Sequence, residues 1–292
     1  MENDTGKNQL QKKELSKESS LKYELPDNLL KEMTKIRQYL HKNPELSGEE
    51  YETTEFIKKF LTEYDIKILP FDLKTGVIAE IGEGEKIVAL RADIDALPIN
   101  EMTDYPYKSQ NPGVMHACGH DFHTASLLGA TVVLKQKEKE LKGRVRLIFQ
   151  PAEEINAGAK EVIKSGVLKG ISAIAGFHNK PDLPLGTIGI KSGPLMAAVD
   201  RFEVKINGTG THAAAPQNGN DPIVTASQIV TSIQSIVSRY VSPADMAIIS
   251  VTRISGGNTW NVIPESVIME GTMRTFKKSI QERIKKLFAQ VV

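Results

Sequence analysis

The segment His116-Ala117-Cys118-Gly119-His120-Asp121-Phe122-His123 places three imidazoles and the chain's single thiol within eight positions. Packing alone rarely demands such density. Thiolate and neutral imidazole are borderline-soft ligands that suit zinc and neighbouring first-row ions, and Asp121 is placed to orient an imidazole from behind. The same residues admit a plainer reading, a polar loop that caps a helix with Cys118 simply buried. Gln150-Pro151-Ala152-Glu153-Glu154 adds adjacent carboxylates, whose repulsion must be offset by cations or a shared proton unless both are solvated, as many surface Glu-Glu pairs are. If a metal offsets it, one carboxylate can bind the ion while its neighbour takes a proton from an attacking water, the division of labour of metal-assisted hydrolysis.

These residues are far apart in the chain, and the apolar pattern supplies the elements that must gather them. The runs Val77 to Ile81, Lys86 to Leu90, Arg144 to Phe149 and Ile171 to Phe177 predict strands buried on both faces. Helices over Ala125 to Leu134 and Ala159 to Ile163 alternate with them, which argues for an α/β sheet flanked by helices. Asp93 and Asp95 then follow the second strand, Glu153 and Glu154 the third, and His178 the fourth, at the carboxyl ends where open α/β sheets gather functional groups. Asp93 and Asp95 are placed to accept from ligand imidazoles or to aid the base. A lone histidine at a strand end is usually structural, but three strand ends carrying metal-type donors are harder to assign to packing.

Upstream, a helix from Asp27 carries Leu29, Leu30, Met33, Ile36 and Leu40 on one face and is ended by Asn43-Pro44. Ser47 and Glu50 read as a capping box opening a second helix with Phe56, Ile57, Phe60 and Leu61. A second unit begins near Ser192, with strands over Phe202 to Ile206, Ala247 to Ile254 and Val267 to Arg274, and helices over Ile223 to Val241 and Ser279 to Val292. The order β-α-β-β-α is that of a ferredoxin-like unit short of its last strand. The expected organisation is a flexible tail over 1–25, a metal-binding portion over 26–191 and an incomplete ferredoxin-like unit over 192–292.

Composition narrows the function classes. Lys plus Arg number 37 against 36 Asp plus Glu, so no global field exists to hold a polyanion, and nucleic acid is not an expected partner. The single cysteine excludes an intrachain disulfide framework and fits a reducing compartment. The first 25 residues lack the apolar run of a secretory signal, and no stretch approaches the roughly 20 apolar residues of a membrane span. A cytoplasmic location without a membrane partner is the expectation.

Taken in order, Arg91 to Pro98, His116 to His123, Gln150 to Glu154 and Gly176-Phe177-His178-Asn179 resemble the successive motifs of the amidohydrolase branch of the aminoacylase/carboxypeptidase family. That branch contains hippurate hydrolases, N-acyl-amino-acid amidohydrolases and auxin-conjugate hydrolases. The resemblance covers nearly everything after residue 30 and implies a zinc-peptidase-like fold, a helix-flanked, mostly parallel sheet with an inserted ferredoxin-like lid. It implies two divalent ions, held by Cys118, His120, Glu154 and His178, with Glu153 as general base. Manganese, zinc, cobalt or nickel would each suit mixed sulfur, nitrogen and oxygen donors. It further implies that His212, in Gly210 to Pro216, stabilises the developing oxyanion, often in the partner subunit's site, and that Asn261 and Arg274 hold the substrate carboxylate of an N-acyl amino acid. A homodimer formed through the lid is expected.

Some positions depart from that pattern. Phe122 stands where relatives commonly have glycine, adding bulk beside two expected ligands, and Thr211 and Gln217 alter the lid loop. Relatives also carry a further metal-binding histidine after the lid, whereas none follows His212 here. The expectation is therefore a C-terminally truncated chain of weak or absent activity, with an impaired metal-binding or dimerising pseudoenzyme as the alternative to an amidohydrolase.

Overall fold

The computed structural model describes residues 27–292, so the tail expected over 1–25 lies outside the described residues. The chain divides into two compact units, one ending at Asp182 and the other running Leu183–Val292.

In the first unit, helix α1 (Asp27–Lys42) buries Leu29, Ile36, Leu40 and His41, and helix α2 (Tyr51–Glu63) buries Ile57, Phe60 and Leu61. Strands β1 (Lys67–Ile68), β2 (Val77–Ile81) and β3 (Ile87–Asp93) follow. Next come helix α3 (His120–Gln136), strand β4 (Arg144–Gln150), helix α4 (Gly158–Lys164) and strand β5 (Ile171–Gly176). The five strands form one sheet in the order β1-β2-β4-β3-β5. Because successive strand residues face opposite sides, Ala79, Leu147 and Phe149 join the core beneath α1, α2 and α3, while Ile78, Ile148 and Ala89 join a second core with Val162 of α4.

The sheet is mixed rather than mostly parallel. β3 runs parallel to β4 and β5, but β2 is antiparallel to β1 and β4. The link over residues 82–86 is too short for the crossover that parallel strands need, so β3 must run back against the direction of β2, with β4 between them. The expected two-sided burial holds for β2 and for nearly all of β4, but not for β3, where Val88 is exposed, nor for β5, whose residues from Ser172 onward are exposed. Among the described residues β5 is the last strand of the sheet and has one neighbour.

Two helix starts also differ from expectation. α3 begins at His120, well before its apolar stretch, because its first turn is made of polar residues that periodicity does not mark. The capping box at α2 does not form. Glu45 accepts from the Glu52 and Thr53 amides at 3.0 and 2.8 Å and so caps the helix from outside it. Ser47 instead donates to Asp95 Oδ2 at 2.6 Å, and the fully buried Glu50 bonds elsewhere.

The second unit comprises β6 (Ala198–Asn207), β7 (Thr211–His212), helix α5 (Pro222–Tyr240), β8 (Ala247–Gly256), β9 (Val262–Ile263), β10 (Ser266–Thr275) and helix α6 (Lys278–Val291). Asp221 caps α5 by accepting from the Ile223 and Val224 amides, with Pro222 opening the helix. β10 lies between β6 and β8 and is antiparallel to both, so β6 and β8 run the same way and α5 crosses between them. Ile233, Ile236, Met269, Met273, Ile284 and Phe288 form the core between helices and sheet.

The external cap on α2 generates a test. Glu45→Ala is expected to cost about 1 kcal/mol of stability through loss of the helix cap, read as a lowered urea midpoint at unchanged slope.

Candidate metal centre

The donors converge at the carboxyl ends of β3, β4 and β5 and at the first turn of α3. Gly119 makes that turn possible: its φ of +85° is open to glycine, and a Cβ there would lie 2.6 Å from the Asn179 side chain. His120 is fully buried at the centre. Its Nδ1 donates to Asp95 Oδ1 at 3.1 Å, which fixes the tautomer and leaves Nε2 bare. Nε2 then lies 3.7 Å from Glu154 Oε1 and 3.6 Å from Asp93 Oδ2. His178 is oriented in the same sense: Nδ1 donates to the Asn179 carbonyl at 2.8 Å, and Nε2 faces the Cys118 sulfur at 3.4 Å.

Donor atoms of Cys118, His120 and His178 lie within 4.8 Å of one another, as do those of His120, Glu153 and Glu154, and those of Asp93, His120 and His123. The four expected ligands thus meet around His120, with Glu153 beside them. His120 Nε2 and Glu154 Oε1 are both buried without a hydrogen-bond partner, although each normally demands one. Such orphaned donors fit a divalent cation. Thiol chemistry points the same way: burial, followed by the charges of Glu154 and Glu153, pushes Cys118 up to about 12, so a thiolate here needs positive charge nearby.

The surrounding acids are held by named donors. Asp95 Oδ2 accepts from Ser47 Oγ at 2.6 Å and from the Glu154 amide at 2.9 Å, which makes Asp95 a support for His120 and for the carboxylate loop rather than a partner of Glu153. Asp93 meets His123 Nδ1 at 2.6 Å and Arg91 at 2.7 Å. Burial pushes Asp93 upward, but His123 and Arg91 outweigh it and hold the carboxyl down at about 2. Glu153 is raised, first by burial and then by the charge of Glu154. Phe122 does not crowd the ligands: it stands 46% exposed, edge-on to Phe177 at 5.6 Å.

In the second unit, β7 pairs with β9, setting His212 opposite Val262, and the Ala213 amide donates to the Asn261 carbonyl at 2.9 Å. His212 is exposed and accepts from the Ala214 amide through Nδ1 at 3.1 Å. Arg274 lies in the other sheet of this unit, on β10, where it bonds Thr272 Oγ1 and the Met273 carbonyl and lines a largely apolar cavity of about 610 Å³. His212 and Asn261 come together, whereas Arg274 sits in a separate setting.

Sequence reasoning missed the layer behind the donors. Asp121 does orient an imidazole, but that of His41 on α1 rather than one of its own motif: His41 Nδ1 lies 2.8 Å from Asp121 Oδ2 and Nε2 lies 3.1 Å from Glu101 Oε1. A neutral imidazole has one donor, so two carboxylate partners require the doubly protonated ring. Arg37 reaches the same Asp121 oxygen at 2.7 Å. The available signal was Arg37 and His41, one helical turn apart beside the apolar stripe of α1. His116, the third imidazole of its motif, is buried with Nδ1 unpartnered and is pushed down to about 4 by burial.

Residues 89–281 match the model of peptidase family M20/M25/M40. The chain is 58% identical over 265 residues to an N-acetyl-L-cysteine deacetylase of Bacillus subtilis, which covers 90% of this chain and 64% of that protein. With an N-acyl-L-amino acid amidohydrolase of Geobacillus stearothermophilus it shares 41% identity over 92% of this chain and 73% of the relative. Among solved structures, a dinuclear metal binding peptidase of the M20 family from Bacillus subtilis superposes with a TM-score of 0.78 at 49% identity, over 91% of this chain and 70% of the other. The chain thus spans less than two thirds of the length of the deacetylase it resembles.

The His41 cation sets a pH dependence of stability. Its pKa is raised, chiefly by the bond to Asp121 and further by Glu101, against the opposing effect of burial. A raised folded-state pKa contributes stability that is complete below the unfolded histidine value near 6.5 and is lost as pH rises through the folded value. Urea unfolding of chelator-treated protein should therefore show stability declining on the alkaline side, a limb that His41→Gln flattens.

Proposed function

This chain belongs to peptidase family M20/M25/M40, and from that premise we propose that it serves a metal-dependent amidohydrolase that cleaves N-acyl amino acids or related small amides. The observation that carries the proposal is Glu153, a carboxyl group with raised proton affinity beside a cluster of thiol, imidazole and carboxylate donors. Cys118, His120, Glu154 and His178 would hold two divalent cations, manganese or zinc before cobalt or nickel. When bound, such ions polarise an amide carbonyl and acidify water.

The chain's own groups do the rest. Glu153 accepts the proton of the attacking water and returns it to the departing amine nitrogen, a task suited to a carboxylate whose pKa lies above the ordinary range. Asp95 and the Asn179 carbonyl keep the Nε2 atoms of His120 and His178 free to bind. Arg91 and His123 hold Asp93 ionised, so negative charge beside His120 favours cations. On the family resemblance we assign His212 to oxyanion stabilisation and Asn261 and Arg274 to the substrate carboxylate.

We further assign residues 26–191 to the catalytic portion and 192–292 to a ferredoxin-like lid through which a homodimer forms. The strand order β6-β10-β8 supports the lid assignment, since it is the first-third-second order of that fold. No helix among the described residues is long and apolar enough to cross a membrane. A cytoplasmic setting would keep Cys118 reduced. A purely metal-binding or dimerising role would leave Glu153 without a task.

The test is release of free amino acid from hippurate and from N-acetyl amino acids by the full chain loaded with manganese or zinc. Glu153→Gln should lower kcat about 10³-fold with little change in KM or bound metal, while His120→Ala should lose metal as read by elemental analysis. Turnover, however slow in this chain, that is undiminished by Glu153→Gln would remove the hydrolytic reading of Glu153.

A further inference from the structure

Ala152 adopts a φ of +49°, in the left-handed region, immediately before Glu153. Alanine has no intrinsic reason to be there, and such conformations persist only where the surroundings impose them. The loop is closed on itself from the far side: the Ala152 carbonyl accepts from the Ala157 and Gly158 amides at 3.2 and 3.0 Å. Gly158 is obligatory in that closure, since a Cβ would lie 1.6 Å from the Pro151 carbonyl oxygen.

What holds the near side comes from 102 positions upstream. The Ala152 amide donates to Glu50 Oε1 at 2.8 Å, and Glu50 Oε2 accepts from Thr75 Oγ1 at 2.7 Å. Glu50 has no solvent exposure. The Thr75-Gly76 turn is fixed in its own right, because the Gly76 amide donates to Thr54 Oγ1 at 2.8 Å and Thr54 in turn donates to the Glu50 carbonyl. Burying a carboxyl group is costly, and this one spends an oxygen on a single strained amide. One residue past Glu153, the Glu154 amide is tied separately to Asp95. Glu153 therefore sits between two tethers, one governed by Glu50 and the other by Asp95.

We propose that Glu50 is a positioning residue that holds Ala152 left-handed and thereby aims the Glu153 carboxyl at the metal cluster. The proposal rests on the reading of Glu153 as the proton acceptor. Because Glu154 keeps its own tether, loss of the Glu50 bond disturbs Glu153 while leaving the cation ligands in place.

The experiment compares metal-loaded full chains carrying Glu50→Ala, Glu50→Asp, Glu50→Gln and the double change Glu50→Ala with Ala152→Gly, by steady-state kinetics, metal analysis and crystallography. Misaiming a reacting group by about 1 Å can cost about 100-fold, so Glu50→Ala should lose kcat on that order with KM within about threefold and metal content unchanged. Glu50→Asp, whose oxygen is withdrawn by one methylene, gives the same loss and serves if the alanine variant does not fold. Glu50→Gln keeps an acceptor for the Ala152 amide and recovers kcat to within about fivefold of wild type. Glycine holds a positive φ unaided, so adding Ala152→Gly to Glu50→Ala should restore about tenfold, which a merely stabilising Glu50 does not predict. In the crystal, Glu50→Ala should show Ala152 at negative φ with the Glu153 carboxyl displaced.

A folded, metal-loaded Glu50→Ala chain with kcat near wild type, or with Ala152 still at positive φ and Glu153 in place, overturns the proposal. Turnover undiminished by Glu153→Gln would instead remove the hydrolytic reading alone, and with that result, or with a wild type too slow to assay, the crystallographic comparison still decides the role of Glu50.

Discussion

Four carboxyl groups, Asp93, Asp95, Glu153 and Glu154, are drawn in around His120, and the first unit is organised to withstand that concentration of negative charge. Mutual repulsion among buried carboxylates would scatter them unless each met a donor or a cation. Arg91 and His123 answer Asp93, while Ser47, the Glu154 amide and His120 answer Asp95. Among the described residues Glu153 and Glu154 meet no cationic donor as close as these; Glu154 meets the Cys118 thiol, and its Oε1 is left without a hydrogen-bond partner. The uncompensated part of the field faces the unpartnered His120 Nε2 and the paired His178 Nε2 and Cys118 sulfur, where a divalent ion has the most to gain.

Behind that charge lies a second polar layer of opposite arrangement. His41 carries its cation between Asp121 and Glu101, at the first turn of α3, so the turn that presents His120 and His123 is held by an ion cluster, while the later turns of the helix pack through Leu127, Leu128 and Val132 into the apolar core. Glu45, Ser47 and Glu50, packed into the connection between α1 and α2, cap a helix, support Asp95 and bind Ala152. A short stretch with no apolar signature thus reaches α2, the support of His120 and the carboxylate loop at once.

How much of this was legible follows from the range of each interaction. Strands β2, β3 and β4 announce themselves by dense apolar runs and the His116 to His123 segment by its density of imidazoles, whereas the choice of Cys118, His120, Glu154 and His178 as ligands comes from the family resemblance and not from residue type alone. The edge exposure of β5 was not legible, because an apolar run looks the same whether or not another layer covers it. The capping pattern at Ser47 and Glu50 misled because both side chains answer distant partners before local amides. His41 to Asp121 spans 80 positions and Glu50 to Ala152 spans 102, and no window of local pattern contains either bond. The left-handed turn at Ala152 was invisible for the same reason, since alanine gives no hint of it.

The parallel pairing of β3 with β4 and β5 has a kinetic consequence. Each pairing closes a loop of many residues before any ladder bond repays the lost entropy, which places this sheet among the slow-forming topologies. The donors sit at the far ends of those ladders, so the chelating constellation exists only after the last long-range closure. An unfolded or half-zipped chain offers scattered single ligands, and the completed sheet is what turns them into a chelate.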